Sequence, residues 1–429
     1  MGIMKNTGKK RALTSIFFIW LVVPCLALAG CSAEQGAAPM ESSGTGQSTL
    51  PSASSSPTSN TPIPQPSATS PSLKSTPPSP TTSPETSSAQ QLVAKLSNEE
   101  KIGQILMAGI PATGASTQDR ANISENSLGN VFLKGRSNAG VTATKAVVQR
   151  ATQAVEEGQS QGIVPWVSTD QEGGLVQVLK GNGFSRIPSG KIQGSWSAQL
   201  LEQNAMSWAR ELSKAGINVN LAPVADTVPS AKFAPSNAPI GYFGREFAFT
   251  PQAVTESVRA FSHGMRKAGV APVVKHFPGL GRMTKNTDVA KNVTDTQTTR
   301  NDSYLEPFKA AVADGNDWVM VSNAYYSKID PANIAPFSST IMRGMLREDL
   351  GFTGMIISDD VCDAAQLSPW SLATRATRFF EAGGTVLLCV ESSKTVIMAK
   401  ALNAKAAQDP AFAKLIDAAA LKVLEAKLD

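Results

Sequence analysis

The chain has 429 residues, with 39 Lys and Arg against 34 Asp and Glu and a formal net charge of +5. Four of the basic residues, Lys5, Lys9, Lys10 and Arg11, lie in the first eleven positions, so the remaining chain carries 35 basic and 34 acidic residues. A nearly neutral chain without a basic run gives no reason to expect nucleic acid as a partner.

The N-terminus has the features of an export signal. The basic positions precede a short apolar run, "SIFFIWLVVPCLALAG", which is typical of a secretory signal peptide. Its end, Leu28-Ala29-Gly30-Cys31, resembles a bacterial lipobox, in which the cysteine is acylated. We therefore predict a lipoprotein signal peptide at residues 1–30 and lipidation at Cys31. The protein would then be extracytoplasmic, anchored to the outer face of the bacterial cytoplasmic membrane. An ordinary signal peptide or a single membrane helix is the alternative, but the run is short for a span.

Composition divides the rest of the chain into two parts. Residues 31–89 consist largely of Ser, Thr, Pro and other small residues, a composition that predicts a disordered linker. Residues 90–429 are long for an ordinary single domain but normal for an α/β barrel, so we expect one folded domain there.

Cysteines and histidines are few. Beyond the signal and the lipobox only Cys362 and Cys389 remain, and they form either a disulfide or two buried thiols. There is no CxxC motif, and His263 and His276 alone cannot build a zinc site. We expect neither a metal nor another cofactor.

The folded part alternates apolar runs with helical periodicity. Ser97-Asn98-Glu99-Glu100 fits a capping box at the start of a helix. The candidate strands that follow are 105–110, 130–135, 163–170, 217–226, 271–277, 318–324, 354–360 and 384–390. Apolar strands separated by helices, such as those expected at 142–158 and 251–269, indicate a parallel sheet covered on both faces. Eight such units favour a closed (β/α)₈ TIM barrel over an open doubly wound sheet. The phosphate loop that is usual in an open nucleotide-binding sheet is absent from this sequence.

The predicted strands end in polar residues. Asp170, Gln171 and Glu172 follow the third strand, Asp226 the fourth, Lys275 and His276 end the fifth, Asn323 follows the sixth, Asp359 and Asp360 the seventh and Glu391 the eighth. Barrels place their chemistry at this edge, and six consecutive polar ends indicate a site rather than isolated helix caps. Carboxylates beside a Lys-His pair suit a polyhydroxylated ligand, and glycoside hydrolysis requires two acidic functions.

Four motifs carry a family resemblance. "DQEGGLVQ" at 170–177, "GINVNLAPVADTV" at 216–228, "KHFPGLG" at 275–281 and "GFTGMIISDDV" at 351–361 resemble the N-terminal barrel of glycoside hydrolase family 3. The resemblance is strongest to its single-domain bacterial β-N-acetylhexosaminidase branch. It runs in order from about Leu96 to the C-terminal helix.

The resemblance implies roles for five residues. Asp359 matches the catalytic nucleophile, which attacks the anomeric carbon and forms a covalent glycosyl-enzyme. Asp170, Arg245, Lys275 and His276 match residues that bind the sugar. The alternatives are a helix cap for Asp359 and a core histidine for His276.

The fifth-strand loop departs from the family pattern, which reads GHG, four residues, then Asp-Ser-His. Here "GLG" and "RMTK" are followed by Asn286-Thr287-Asp288, so the usual Asp-His acid/base dyad is replaced by Asn286 and Asp288. Our hypothesis is that Asp288 is the acid/base, with its pKa raised by burial when the loop closes and by the charge of Asp359. Asn286 would orient it, and the GLG glycines would allow hinging. The alternatives are Asp295, Asp360, Glu391 and an acid from a partner protein.

A second departure concerns the substrate. Leu175 and Val178 stand where the family often carries arginine. The family's peptidoglycan substrate, N-acetylglucosaminyl-N-acetylmuramic acid, is therefore less firmly implied for this chain. Because Arg245 is retained, that substrate remains one of the alternatives.

The sequence thus predicts a monomeric, retaining exo-glycosidase that removes terminal β-linked N-acetylglucosamine-type sugars in cell-wall turnover. One alternative is a β-glucosidase-like exo-hydrolase, although such enzymes commonly take their acid from a second domain and this chain ends soon after the eighth unit. The other is a catalytically impaired carbohydrate-binding lipoprotein. Either water or phosphate could accept the glycosyl group in the second step. A carboxylate at Asp288 favours water over phosphate.

Overall fold

The computed structural model describes residues 87–428. The predicted signal peptide, the lipidation site Cys31 and all but the last three residues of the predicted linker lie outside this range. Within it, no helix is both long enough and apolar enough to cross a membrane.

Parallel strands form the centre of the described part. They are β1 Leu106–Pro111, β2 Asn130–Lys134, β3 Trp166–Thr169, β4 Val219–Asn220, β5 Ala271–Pro272, β6 Val274–Phe277, β7 Trp318–Val321, β8 Met355–Ser358 and β9 Leu387–Cys389. Each predicted apolar run overlaps one of these strands, and the fifth run overlaps two. The strand predictions are therefore confirmed, although most observed strands are shorter than the runs.

The strands pair into two parallel sheets. Six strands have the order β9-β1-β2-β3-β4-β5, and three have the order β8-β7-β6. Two isolated parallel bridges connect the sheets, one between Val224 and Lys275 and one between Ile357 and Val386. The result is an α/β fold with a curled parallel sheet, as the alternation of apolar and helical segments predicts.

Helices follow the strands and cover the sheet. In the described range the α-helices are α1 Ser88–Lys95, α2 Asn98–Gln104, α3 Thr117–Ser124, α4 Gly140–Glu157, α5 Gly190–Gln193, α6 Ala198–Lys214, α7 Pro251–Lys267, α8 Glu306–Ala313, α9 Leu372–Ala382, α10 Ser392–Gln408 and α11 Pro410–Leu428. A π-helix spans Thr340–Asp349, and short 3₁₀-helices include Gly241–Phe243 and Ala365–Leu367. The helices expected at 142–158 and 251–269 correspond to α4 and α7.

The predicted capping box is confirmed. Ser97 Oγ accepts from the backbone N–H of Glu100 at 3.2 Å, and the Glu100 carboxylate accepts from the Ser97 N–H at 2.9 Å. Helix α1, which the sequence analysis did not predict, precedes it and has its own capping box at Ser87. Ala89 of α1 is buried against Leu424 of α11, so this short helix is held by tertiary packing.

Candidate active site

Two cations form ion pairs with two carboxylates beside the ends of β3 and β6. Lys275 Nζ lies 2.7 Å from Asp170 Oδ1 and 2.6 Å from Glu172 Oε1. Arg245 binds the same Glu172 in a bidentate manner, with Nε donating at 2.9 Å and Nη2 at 2.7 Å. Planar guanidinium–carboxylate pairs of this kind fix both side chains in orientation as well as position.

Electrostatics keep this cluster charged. Burial alone would raise the pKa of Glu172, but the positive charges of Arg245 and Lys275 lower it to about 2. Burial lowers the pKa of Lys275, but Asp170 and Glu172 raise it above its usual value. Sequence reasoning placed Glu172 after the third strand but gave it no role. Its partner Arg245 lies 73 residues away, and no sequence pattern links the two.

His276 is held by a buried carboxylate. Its Nδ1 lies 2.6 Å from Asp226 Oδ2, and its Nε2 lies 3.3 Å from Arg245 Nη2. Because a guanidinium can only donate, Nε2 faces it as the acceptor and Nδ1 carries the proton donated to Asp226. Asp226 was predicted at a strand end but not as a site residue, and its role is to position His276.

Asp359 follows β8 directly and points to the same edge of the sheet. Its backbone N–H donates to the carbonyl oxygen of Val321 at 3.0 Å, and its Oδ1 accepts from the Asp360 N–H at 2.8 Å. Burial and the negative charge of Asp288 raise the pKa of Asp359 to about 6. This carboxyl is therefore ionised, and able to act as a nucleophile, above about pH 6.

The turn after Asp359 is fixed on both sides. The Asp360 carboxylate accepts backbone N–H bonds from Cys362, Asp363 and Val390 at 2.8–3.1 Å. A disulfide joins Cys362 in this turn to Cys389 in β9, with a Cα–Cα distance of 5.1 Å. The structure thus decides between the two predicted states of these cysteines, and it gives Asp360 a structural role.

Asp288 is held over this turn through its backbone. The carbonyl oxygens of Thr287 and Asp288 accept from Gln366 and Ala365 N–H, both at 3.0 Å. Asn286 Oδ1 accepts from the Asp288 backbone N–H at 3.0 Å, so it orients the chain rather than the Asp288 carboxyl. The side chain of Asp288 is exposed, whereas the sequence hypothesis requires it to be buried on loop closure.

The start of the Asp288 loop is packed tightly. A Cβ at Gly281 would lie 1.8 Å from the carbonyl oxygen of Thr227, so this glycine permits close packing. Asn237 Nδ2 donates to the carbonyl oxygens of Leu280 and Met283 at 2.9 and 2.7 Å. The GLG glycine at Gly281 therefore anchors the loop, which differs from the predicted hinge.

A cavity of about 310 Å³ lies above these groups. The six predicted catalytic and sugar-binding residues that line it are Asp170, Arg245, Lys275, His276, Asp288 and Asp359. Arg136 also lines it, and sequence reasoning gave no signal for this residue. The structure thus brings the predicted site residues together around one space large enough for a small ligand.

The other predicted acid candidates are not placed to act. Asp295 accepts bonds from the N–H groups of Gln297 and Thr298 at 2.6 and 2.7 Å in a buried turn. Glu391 forms an ion pair with Lys134. Neither carboxylate lines the cavity.

A parallel α/β sheet whose strand ends gather carboxylates, a lysine and a histidine around one cavity has the groups that glycoside hydrolysis requires. The chain belongs to glycosyl hydrolase family 3, because residues 97–426 match the family's N terminal domain. The predicted resemblance and the prediction of an enzyme are both confirmed.

Known proteins resemble the chain over most of its length. A "Beta-hexosaminidase" of Nitrosomonas eutropha is 33% identical over 297 residues, which cover 66% of this chain and 80% of that protein. The crystal structure of a β-N-acetylhexosaminidase from Beutenbergia cavernae DSM 12333 is 47% identical with a TM-score of 0.77, covering 78% of this chain and 100% of the other. A family 3 β-N-acetylglucosaminidase from Paenibacillus sp. str. FPU-7 is 26% identical with a TM-score of 0.68, covering 77% and 62%.

Proposed function

We propose that this protein removes terminal β-linked N-acetylglucosamine-type sugars from glycans by a retaining mechanism. Asp359 is the nucleophile and Asp288 the acid/base. The observation that carries the proposal is that both carboxyls line one cavity, where burial and, to a smaller extent, the charge of Asp288 raise the pKa of Asp359. The similarity to a β-hexosaminidase of Nitrosomonas eutropha and a β-N-acetylhexosaminidase of Beutenbergia cavernae supports the type of sugar.

The mechanism has two balanced steps. The Asp359 carboxylate attacks the anomeric carbon while protonated Asp288 gives its proton to the departing glycosidic oxygen, so one C–O bond forms as the other breaks. A water then attacks the same carbon, gives its proton to Asp288 and releases the Asp359 carboxylate. Two inversions retain the anomeric configuration.

The charged cluster positions the sugar. Asp170 is the most accessible member, with its side chain about 25% exposed, and its free oxygen accepts bonds from sugar hydroxyls. Arg245 and Lys275 supply donors whose geometry is fixed by Glu172. Because these groups are held before substrate arrives, little ordering is needed on binding.

Catalysis requires the exposed Asp288 carboxyl to approach Asp359. In a retaining enzyme the two carboxyls lie about 5–5.5 Å apart in the reacting state. The backbone bonds of Thr287 and Asp288 to the 3₁₀-helix Ala365–Leu367 already keep the loop beside the nucleophile turn. We infer that a side-chain rotation and a small inward shift of the loop close the site around the sugar.

The test compares fluorogenic β-N-acetylglucosaminide with the β-glucoside, using the mature chain and the variants Asp359→Ala and Asp288→Ala. We expect turnover of the first sugar, no detectable turnover by Asp359→Ala and a strong loss by Asp288→Ala. Asp363→Ala is a matched control, because Asp363 is a loop acid that pairs with Lys394 outside the cavity.

The alternatives predict different results. Turnover of the β-glucoside alone would identify a β-glucosidase-like enzyme. Binding of N-acetylglucosamine without turnover of either substrate would identify a carbohydrate-binding protein that has lost its acid. Phosphorolysis would be shown by sugar phosphate among the products when inorganic phosphate is present.

The cellular setting is a further part of the proposal. The lipobox-like Leu28–Cys31 segment supports acylation of Cys31 and anchoring at the outer face of the cytoplasmic membrane. An anchored enzyme of this type fits peptidoglycan turnover by a monomer. Labelling with a fatty acid should mark the wild type and not Cys31→Ala, and light scattering of the mature chain should give the monomer mass.

We also propose that the two sheets form a closed (β/α)₈ barrel. The bridges Val224–Lys275 and Ile357–Val386 support this, because one joins the segment after β4 to β6 and the other joins β8 to the segment before β9. An experimental structure with continuous pairing at both junctions would establish the closure.

A further inference from the structure

A single buried glutamine binds both ends of the segment 287–293, which carries Asp288. The backbone N–H of Gln366 donates to the carbonyl oxygen of Thr287 at 3.0 Å. Its side-chain Oε1 accepts from the backbone N–H of Val293 at 3.0 Å, and its Nε2 donates to the carbonyl oxygen of Val293 at 3.3 Å. Thr287, Val293 and Gln366 are each only 2% exposed, so water does not compete for these bonds.

The middle of the segment lies at the surface. Its four exposed residues are Asp288, Val289, Lys291 and Asn292. Asp288 is bound beside one end, where its carbonyl oxygen accepts from the backbone N–H of Ala365 at 3.0 Å. Because the exposed middle contributes little packing, the position of the Asp288 backbone is set from the two ends, which Gln366 holds.

An amide is the side chain that this position requires. Val293 presents one backbone donor and one backbone acceptor to it, and a primary amide can satisfy both. A carboxylate could accept from the N–H but could not donate to the carbonyl oxygen, and a methionine could do neither effectively. The identity of Gln366 is therefore matched to the task of holding this end of the segment.

Gln366 belongs to the turn that follows the proposed nucleophile. It lies seven residues after Asp359, in the 3₁₀-helix Ala365–Leu367. The start of the same turn is fixed by the carboxylate of Asp360, which accepts three backbone N–H bonds. One anchored stretch of chain thus connects Asp359 to the residue that holds the segment of Asp288.

We propose that Gln366 is a positioning residue that keeps the carboxyl of Asp288 within reach of the departing glycosidic oxygen. This inference rests on the proposed function, in which Asp288 is the acid/base, and adds the residue that holds this acid in place. Gln366 does not line the catalytic cavity, so it acts through the ends of 287–293. A misplacement of about 1 Å can cost a catalytic group about 100-fold in rate. Without the amide, proton transfer should slow while Asp359 can still attack.

The test is a series of aryl β-N-acetylglucosaminides from phenyl to dinitrophenyl, with kcat/KM measured for each. A phenyl leaving group needs a proton from the acid, whereas a dinitrophenyl group does not. We expect Gln366→Met to lower kcat/KM about 10- to 100-fold for the phenyl substrate and less than about three-fold for the dinitrophenyl substrate. Asp288→Ala should show the same pattern. The double variant should lose little more than Asp288→Ala alone, because both residues act on one step.

Gln104→Met is the matched control. Gln104 is a fully buried glutamine of α2, its Nε2 donates to Gln159 Oε1 at 2.9 Å, and it does not line the catalytic cavity. Its replacement should lower Tm without changing the dependence on the leaving group. If Gln366→Met does not fold, Gln366→Glu keeps the acceptor for the Val293 N–H and, once ionised, loses the donor. It should show a smaller loss of the same kind.

The outcomes separate this proposal from the proposed function. An equal loss for every leaving group, or a loss that adds fully to that of Asp288→Ala, would mean that Gln366 only stabilises the fold. If Asp288→Ala depends on the leaving group and Gln366→Met does not, the proposed function stands and the positioning role is overturned. If the wild type cleaves no substrate, hydrogen exchange decides. Amides of 287–293 should exchange faster in Gln366→Met, and unchanged exchange would overturn the proposal.

Discussion

The carboxylate of Asp226 joins His276, a proposed sugar-binding residue, to the loop that carries the proposed acid. Its Oδ2 lies 2.6 Å from His276 Nδ1, and its Oδ1 accepts from the Leu280 backbone N–H at 2.6 Å. Leu280 lies in the GLG segment, eight residues before Asp288. One fully buried carboxylate thus fixes both the imidazole and the start of the loop.

This relationship predicts the effect of Asp226→Asn. The amide can still accept from Leu280 through Oδ1, but its NH₂ group would face Nδ1 as a donor and force the imidazole proton onto Nε2, against Arg245. Losing a hydrogen bond to a charged group costs about 1.5–3 kcal/mol, so we expect kcat/KM to fall about 10- to 100-fold. Steady-state kinetics with the fluorogenic substrate measures this, and a change below about two-fold would contradict it.

The raised pKa of Asp359 predicts the acid limb of the pH profile. Its pKa of about 6 means that the proposed nucleophile becomes protonated, and kcat/KM falls, as the pH drops through 6. Asp288→Asn removes a neighbouring negative charge, so the pKa of Asp359 should fall and the limb should move to lower pH. An activated dinitrophenyl substrate keeps this variant measurable, because its leaving group needs no acid. An unchanged or higher midpoint would show that the two carboxyls do not interact.

The same pKa has a consequence for stability. A carboxyl whose pKa is higher in the folded than in the unfolded state favours folding most below the unfolded pKa of 3.8, and this contribution is lost as the pH rises through 6. Asp359→Asn removes the ionisation, so we expect it to raise the free energy of unfolding at pH 8 by about 1–3 kcal/mol. The gain should shrink to below about 1 kcal/mol near pH 4. Thermal unfolding at both pH values measures it, with Asp363→Asn as the control on the neighbouring loop.

Much of the fold could be predicted from the sequence because buried parallel strands have apolar runs on both faces. The runs containing β1, β7 and β8 are examples, and the polar residues at their ends, such as Asp359, follow from the same pattern. Helix α1 was missed because its start lies inside the segment 31–89 that was assigned to the linker, and its eight residues gain their stability from contact with α11.

The site could be predicted as a set of residues but not as a set of contacts. The motifs identified Asp170, Lys275 and His276, whereas the roles of Glu172 and Asp226 depend on partners 73 and 50 residues away. No periodicity or spacing encodes such pairs. The exposure of Asp288 likewise depends on how its loop packs, which the sequence pattern does not show.

We expect loss of the disulfide to lower the stability of the fold but to leave catalysis nearly unchanged. Cross-linking Cys362 to Cys389, which are 27 residues apart, restricts the unfolded chain and stabilises the fold by about 3.5 kcal/mol. Cys362→Ser/Cys389→Ser should therefore lower Tm clearly, while kcat changes little, because Asp360 still accepts its backbone N–H bonds and holds the turn after Asp359. Reductant should lower the Tm of the wild type to that of the variant and leave the variant unchanged. An equal loss of kcat and stability would mean that the cross-link itself positions the nucleophile.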